Sequence, residues 1–223
     1  MVAAALGCLI LLAGQPVSAQ LRIVSYNTND GPRIESFIVL QEIGNESTGG
    51  IARPIDILLL QEQDTGTING FEAIMDGLYG GIYARPALIG STAGAGKPGV
   101  VYNTQTVQLI AQVAFNDLPD VPRPVLRYQF RPVGYDATAD FYIYNSHYKA
   151  STGATNEARR DAEATLIRTD SDALGEGTHI IYAGDFNIRD NDEDMWSTLT
   201  AAGALGLGIF PADWVKIAEA AVF

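Results

Sequence analysis

Cysteine is almost absent from this sequence. Cys8 is the single one, and it lies inside an apolar amino-terminal run. One thiol cannot build a disulfide framework or a thiolate metal site. Removal of that run would leave none, and stability would then rest on core size alone. Positive charge is scarce as well. Fourteen Lys and Arg stand against 26 Asp and Glu, for a net charge of −12 and a pI of about 4.4. Arg159-Arg160 is the one basic cluster. Broad nucleic-acid binders gain affinity by neutralising many phosphates, so a wide basic footprint is excluded. An enzyme that meets one phosphate through a metal ion is not. Fixed-period repeats and low-complexity runs are also missing, which excludes solenoids and disordered tracts.

The content that is present is that of a folded domain, 47% hydrophobic and 18% charged. Residues 2–14, VAAALGCLILLAG, form an apolar run followed by Gln15-Pro16 and the small-residue site Val17-Ser18-Ala19. This pattern predicts a secretory signal peptide over 1–19, although no Lys or Arg precedes the run. The run is short for a membrane span. A buried amino-terminal helix is the alternative. A lipoprotein anchor at Cys8 fits poorly, because the apolar run continues beyond it. The expected location is secreted or periplasmic, in a bacterium. Residues 20–223 read as one domain.

Seven runs read as strands: 21–27, 55–62, 99–103, 107–115, 125–133, 140–148 and 178–187. The continuous apolar run IDILLLQE predicts a strand covered on both faces. Thr104-Gln105-Thr106 predicts a hairpin between the third and fourth. Helices are expected over 34–43 (face Ile34, Phe37, Ile38 and Gln41), 156–174 (Ala158, Ala162, Leu166), 191–202 (Trp196, Leu199) and 211–222. The irregular alternation predicts α/β or α+β architecture with mixed sheets. GSTAGAGKPG, 90–99, lacks the Gly-Lys-Ser/Thr ending of a phosphate loop and reads as a connection between strands.

Four of these strands end in polar residues: Asn27, then Gln61-Glu62, then Asn145 and His147, then Asp185 and Asn187. In layered α/β proteins ligand sites collect at carboxyl ends of strands. Glu62 ends an apolar strand, where an idle carboxylate is costly. Strand alternation predicts Asp185 and Asn187 on one face, with Phe186 on the other. A glutamate and an asparagine oxygen suit a hard cation such as Mg²⁺. A carboxylate such as Asp185 can take a proton from, or orient, an attacking water. Asn187 and His147 can donate hydrogen bonds, or His147 a proton, to phosphoryl oxygens. This set points to metal-assisted hydrolysis of a phosphate ester. Asn27 alternatively caps a turn into Asn29-Asp30-Gly31. Glu42 reads as solvated, Tyr102 as packing, and His179 as structural. Asp190, Asp192, Glu193 and Asp194 read as an acidic helix start.

In SYN (Asn27), LLLQE (Glu62), GVVYN, NSHYKAS (His147) and GDFN (Asp185, Asn187) the chain resembles the endonuclease/exonuclease/phosphatase superfamily. That group includes deoxyribonucleases, abasic-site endonucleases, bacterial sphingomyelinases and inositol-polyphosphate phosphatases. The resemblance runs from residue 21 to about 200. It implies an α/β (α+β) four-layer sandwich, two mixed β-sheets packed together and flanked by helices. It implies that Glu62, with Asn27 nearby, holds the metal, Mg²⁺ or else Mn²⁺ or Ca²⁺. Asp185 would act on the nucleophilic water, and Asn187 and His147 on the scissile phosphate. Arg159 and Arg160 follow the SHYKAS loop, as in related bacterial sequences, and read as covering a helix face. A phosphodiester substrate is implied, nucleic acid ahead of lipid. A sphingomyelinase or phosphomonoesterase activity, or a non-catalytic binding role, are the alternatives.

The resemblance departs at the carboxyl end. Members of the family end with a strand and loop reading Ser-Asp-His, and no histidine follows Asn187 here. The expectation is a member truncated at its last strands, with one short sheet and reduced activity. Loss of a general acid–base partner corresponds to about 10²–10⁴ in rate.

Overall fold

The computed structural model describes residues 20–29, 31–47, 52–92, 96–116 and 123–201. The expected leader and the helix expected over 211–222 lie outside the described residues. The first sheet has the order β1-β2-β4-β3, from β1 (Ile23–Asn27), β2 (Ile57–Gln63), β3 (Tyr83–Ala84) and β4 (Lys97–Asn103). The second has the order β5-β6-β7-β8, from β5 (Val107–Phe115), β6 (Val125–Pro132), β7 (Phe141–His147) and β8 (His179–Asp185). Each sheet is mixed: β1–β2 and β7–β8 are parallel, and the other pairs are antiparallel.

Side-chain alternation explains the layers. Leu58 and Leu60 of β2 join Val101 in one apolar cluster with Ile68, Phe71 and Met75 of helix α2 (Thr65–Tyr79) and Leu40 of α1 (Ile34–Asn45). Ile57 and Leu59, the alternate residues, join Val100, Leu126, Tyr128, Phe130 and Ile143 in a second cluster between the sheets. Tyr144 then faces the far side, with Ala164 and Ile167 of α3 (Ala154–Ala173) and Met195 and Leu199 of α4 (Asp194–Thr200). Three apolar layers separate helices, sheet, sheet and helices, the four-layer sandwich expected.

Several local expectations are corrected. The hairpin at 104–106 does not form: Thr106 N–H donates to Asn103 at 3.2 Å, but the chain then crosses to the other sheet. Both edges of β4 are already taken, by β2 and β3. On α1 the buried residues are Ser36, Leu40 and Gly44, while Ile34 and Ile38 are 81% and 57% exposed. Gly44 lets the Tyr79 hydroxyl come against the helix, so backbone proximity rather than apolar content chose the face. On α3 the buried stripe is Arg160, Glu163, Ala164, Ile167 and Ser171, not Ala158, Ala162 and Leu166. Its two charged members mask it in sequence. On α4, Met195 replaces Trp196, which is 47% exposed.

Helix α2 was not expected. Gly66, Gly70 and Gly77 lower its intrinsic propensity. It is held by a capping box, in which Asp64 Oδ1 accepts the Thr67 N–H at 2.7 Å and Thr67 Oγ1 accepts the Asp64 N–H at 2.8 Å. Among the described residues no helix is long and apolar enough to cross a membrane.

Candidate active site

Four strand ends meet where the two sheets adjoin. Asn27 is the last residue of β1, Glu62 the penultimate residue of β2, and His147 and Asp185 the last residues of β7 and β8. Asn27 Nδ2 donates to Asp185 Oδ2 at 2.9 Å and lies 3.4 Å from Glu62 Oε1. His147 Nε2 stands 3.7 Å from both Glu62 Oε1 and Asp185 Oδ2. The imidazole is buried, while the Glu62 and Asp185 side chains are 20% and 32% exposed. A buried ring thus backs two carboxylates open to solvent.

Glu62 owes its direction to a break in its strand. The β2–β4 register shifts between Leu60 and Gln63, and Glu62 has φ +63°, a left-handed value rare for a residue with a side chain. Gly96 permits that bend, because a Cβ there would collide with the Glu62 backbone. The flanking glutamines point inward. Gln63 Nε2 donates to Thr28 Oγ1 and to the Gln61 carbonyl, each at 2.7 Å, and Thr28 Oγ1 donates to the same carbonyl at 3.0 Å. Gln61 Nε2 donates to Asn145 Oδ1 at 2.7 Å. Asn145 Nδ2 faces the Leu60 and Gly99 carbonyls at 3.1 and 2.8 Å, so this buried amide clasps the sheets together. Asn145 ends a strand in polar character without reaching the site.

The geometry of Asn187 differs from the strand alternation expected. The strand stops at Asp185, and Asn187 takes φ +49°. Asp185 Oδ1 accepts the Asn187 N–H at 3.0 Å, a side-chain turn that brings the two residues together. Asn187 Nδ2 donates to the Tyr148 carbonyl at 3.1 Å, and among the described residues the second hydrogen of that amide has no acceptor. Phe186 packs away from the site, edge-on to Tyr148. Asn27 combines both of its readings: Oδ1 accepts the Asn29 N–H at 3.1 Å while Nδ2 faces the carboxylates.

Burial, with the Arg123 guanidinium nearby, pushes His147 down to about 4 against the opposing pull of Asp185. At neutral pH the ring is uncharged and offers one N–H, not an extra proton. It leaves the two negative charges unbalanced. That donor set fits a hard divalent cation that takes oxygen ligands and keeps several waters. Among the described residues no group of three or more His, Cys, Asp or Glu is placed to hold a metal ion.

The remaining residues are distributed as follows. His179 is exposed at the opposite end of β8, Glu42 is exposed, and Tyr102 packs edge-on to Phe130. The acidic start of α4 is only partly an electrostatic cap, since Glu193 is buried against Arg160. Arg160 does not cover a helix face; it is fully buried. Gln63, Thr28 and Gly96 support the site and were missed, and Gln61, expected at a polar strand end, turns inward to Asn145. Their one sequence signal was the run of two glutamines around Glu62.

The model of the Endonuclease/Exonuclease/phosphatase family matches residues 24–219. None of the curated proteins matches the sequence. Among solved structures, humanized D. rerio TDP2 is similar at 18% identity and a TM-score of 0.56, over 83% of this chain and 70% of that one. D. rerio TDP2 complexed with a single-strand DNA product is similar at 18% identity and a TM-score of 0.50, over 66% and 54%. The mannosyl-6-phosphatase Bt3783 of Bacteroides thetaiotaomicron has 16% identity and a TM-score of 0.57, over 81% and 70%.

Proposed function

Because the chain belongs to the endonuclease/exonuclease/phosphatase family, we propose that it is a metal-dependent hydrolase of phosphodiester bonds, exported by its amino-terminal leader. One observation carries this reading: Asn27, Glu62, His147 and Asp185 converge from four strands within hydrogen-bonding or near-contact distance. Glu62, with Asn27 beside it, would hold the divalent cation, Mg²⁺ or in its place Mn²⁺ or Ca²⁺, through its carboxylate. When bound, the cation neutralises charge on the scissile phosphate. Asp185 orients the attacking water and takes its proton. The free hydrogen of the Asn187 amide and the N–H of neutral His147 donate to phosphoryl oxygens as charge builds on them.

A single-stranded nucleic acid is the favoured substrate. The likeness to TDP2, solved with a DNA product, supports it. The net charge of −12 restricts contact to a few phosphates near the cleft. The likeness to a mannosyl-6-phosphatase supports a phosphomonoester as the second reading.

Hydrolysis of bis(p-nitrophenyl) phosphate and of p-nitrophenyl phosphate separates the two. The diester should be cleaved faster, with activity abolished by EDTA and restored by Mg²⁺. Asp185→Ala should lower kcat by about 10²–10⁴. Unchanged activity in that variant would refute the site.

A further inference from the structure

Helix α3 carries a guanidinium that the proposed chemistry does not use. Arg160 is fully buried and makes four hydrogen bonds. Nε and Nη2 form a two-pronged pair with Glu193 Oε2 and Oε1 at 2.6 and 2.7 Å. Nη1 donates to the carbonyls of Lys149 and Ser151, both at 3.0 Å. A planar fork is suited to holding a carboxylate and two carbonyls at once, and a lysine ammonium is not.

The groups it joins belong to the two loops that carry the site. Lys149 and Ser151 follow His147, whereas Glu193 follows Asn187. Glu193 Oε1 also accepts the Arg189 N–H at 3.0 Å, closing the second loop on itself. Between the loops, Tyr148 N–H donates to the Asp185 carbonyl at 2.9 Å, and the Tyr148 carbonyl accepts from Asn187 Nδ2. Glu163, one turn along α3, accepts the Lys149 N–H at 3.0 Å, so the helix holds that residue by both its N–H and its carbonyl. Ser151 and Asn187 both take left-handed backbone conformations, φ +83° and +49°. Such conformations persist where the surroundings over-determine them.

We propose that Arg160 is a positioning residue: by tying the 148–151 loop to the 189–193 loop, it holds Asn187 and His147 in register with Asp185. The proposal rests on the hydrolytic reading above. Without the fork, the Tyr148 carbonyl and the Asn187 amide lose their fixed relation, and the transition-state donor drifts from the water-activating carboxylate. A misplacement of about 1 Å can cost on the order of 10² in rate.

The test compares Arg160→Lys, Arg160→Ala and Glu193→Gln with Arg127→Lys, which alters an ion pair to Asp170 instead. Glu193→Gln keeps the acceptor's shape and carries the readout if the arginine variants do not fold. Steady-state kinetics use bis(p-nitrophenyl) phosphate with Mg²⁺ on folded protein. Arg160→Lys should lose about 10- to 100-fold in kcat with KM changed less than threefold. Millimolar methylguanidinium should restore part of the kcat of Arg160→Ala. Hydrogen exchange should speed up in 148–153 and 186–193 and stay unchanged in β6 and β7. A kcat within twofold of wild type, or an equal loss in Arg127→Lys, overturns the proposal. So does faster exchange spread evenly over the chain. An inactive wild-type enzyme overturns the hydrolytic reading and Arg160's catalytic positioning with it, while the exchange pattern decides the tie between loops separately.

Discussion

Asp185 uses its two oxygens differently. Oδ1 accepts the Asn187 N–H and so shapes the turn, while Oδ2 accepts from Asn27 and faces His147. Asn187 is equally divided, with one amide hydrogen on the Tyr148 carbonyl. The other is available for substrate. Asn187→Ala should therefore reduce kcat by about 10²–10³, the usual cost of removing one transition-state donor. KM for the diester should move far less, and a full kinetic comparison would reveal it. Fold stability should fall by about 1–2 kcal/mol, because the bond to the Tyr148 carbonyl is lost and alanine is strained at a left-handed φ. These residue types were legible in the sequence. Their proximity was expected from strand alternation, but its means was not, because the left-handed turn at Asn187 is a three-dimensional arrangement that alternation does not describe.

Strand β2 is the element on which the site depends most. Its apolar run was readable, because burial on both faces needs four consecutive large residues, Ile57 to Leu60. The bend at Glu62 was not readable, since its cause lies in Gly96, far along the chain. Gly96→Ala should strain that contact and turn the carboxylate away. Urea unfolding should show a loss of about 1–3 kcal/mol, the range for overpacking a tight contact. Activity should fall more than that loss explains at saturating metal, and an active, equally stable variant would remove Gly96 from the site's support. The helices teach a similar lesson. The buried stripe of α3 is written partly in arginine and glutamate, so an apolar pattern cannot find it.

For the molecule as a whole, the stability curve and the surface charge give separate tests. Burial pushes the Glu163 carboxyl up to about 7. Between about 4.5 and 7 the folded protein keeps a proton that the unfolded chain has released. Stability from this group is therefore lost as pH rises through that window. Glu163→Gln should remove the slope. Its Tm relative to wild type should rise between pH 5 and pH 8, by the equivalent of roughly 2 kcal/mol. A constant difference across that range would contradict the assignment. The acidic surface sets the second expectation. Binding of a single-stranded oligonucleotide, followed by fluorescence anisotropy in 50–200 mM KCl, should show a logarithmic salt slope of about −0.7 per phosphate contacted and no steeper than about −2. A slope near zero would turn attention to a substrate other than nucleic acid.

Sequence alone determined the mixed-sheet α/β character and the identity of the polar strand ends, while the layer order was implied by the family resemblance. The first two follow from local regularities, alternation within a strand and apolar runs bounded by turn residues. It also determined which chemistry was open to the chain, since a sequence poor in thiols and basic residues but carrying Glu62, His147, Asp185 and Asn187 leaves few options. Tertiary structure decided the rest. It chose which face of α1 packs, sent β5 to the other sheet, bent Glu62 over Gly96, and placed Arg160 in the interior between two loops. Each of these depends on which distant groups come into contact, and burial makes those contacts costly to leave unsatisfied.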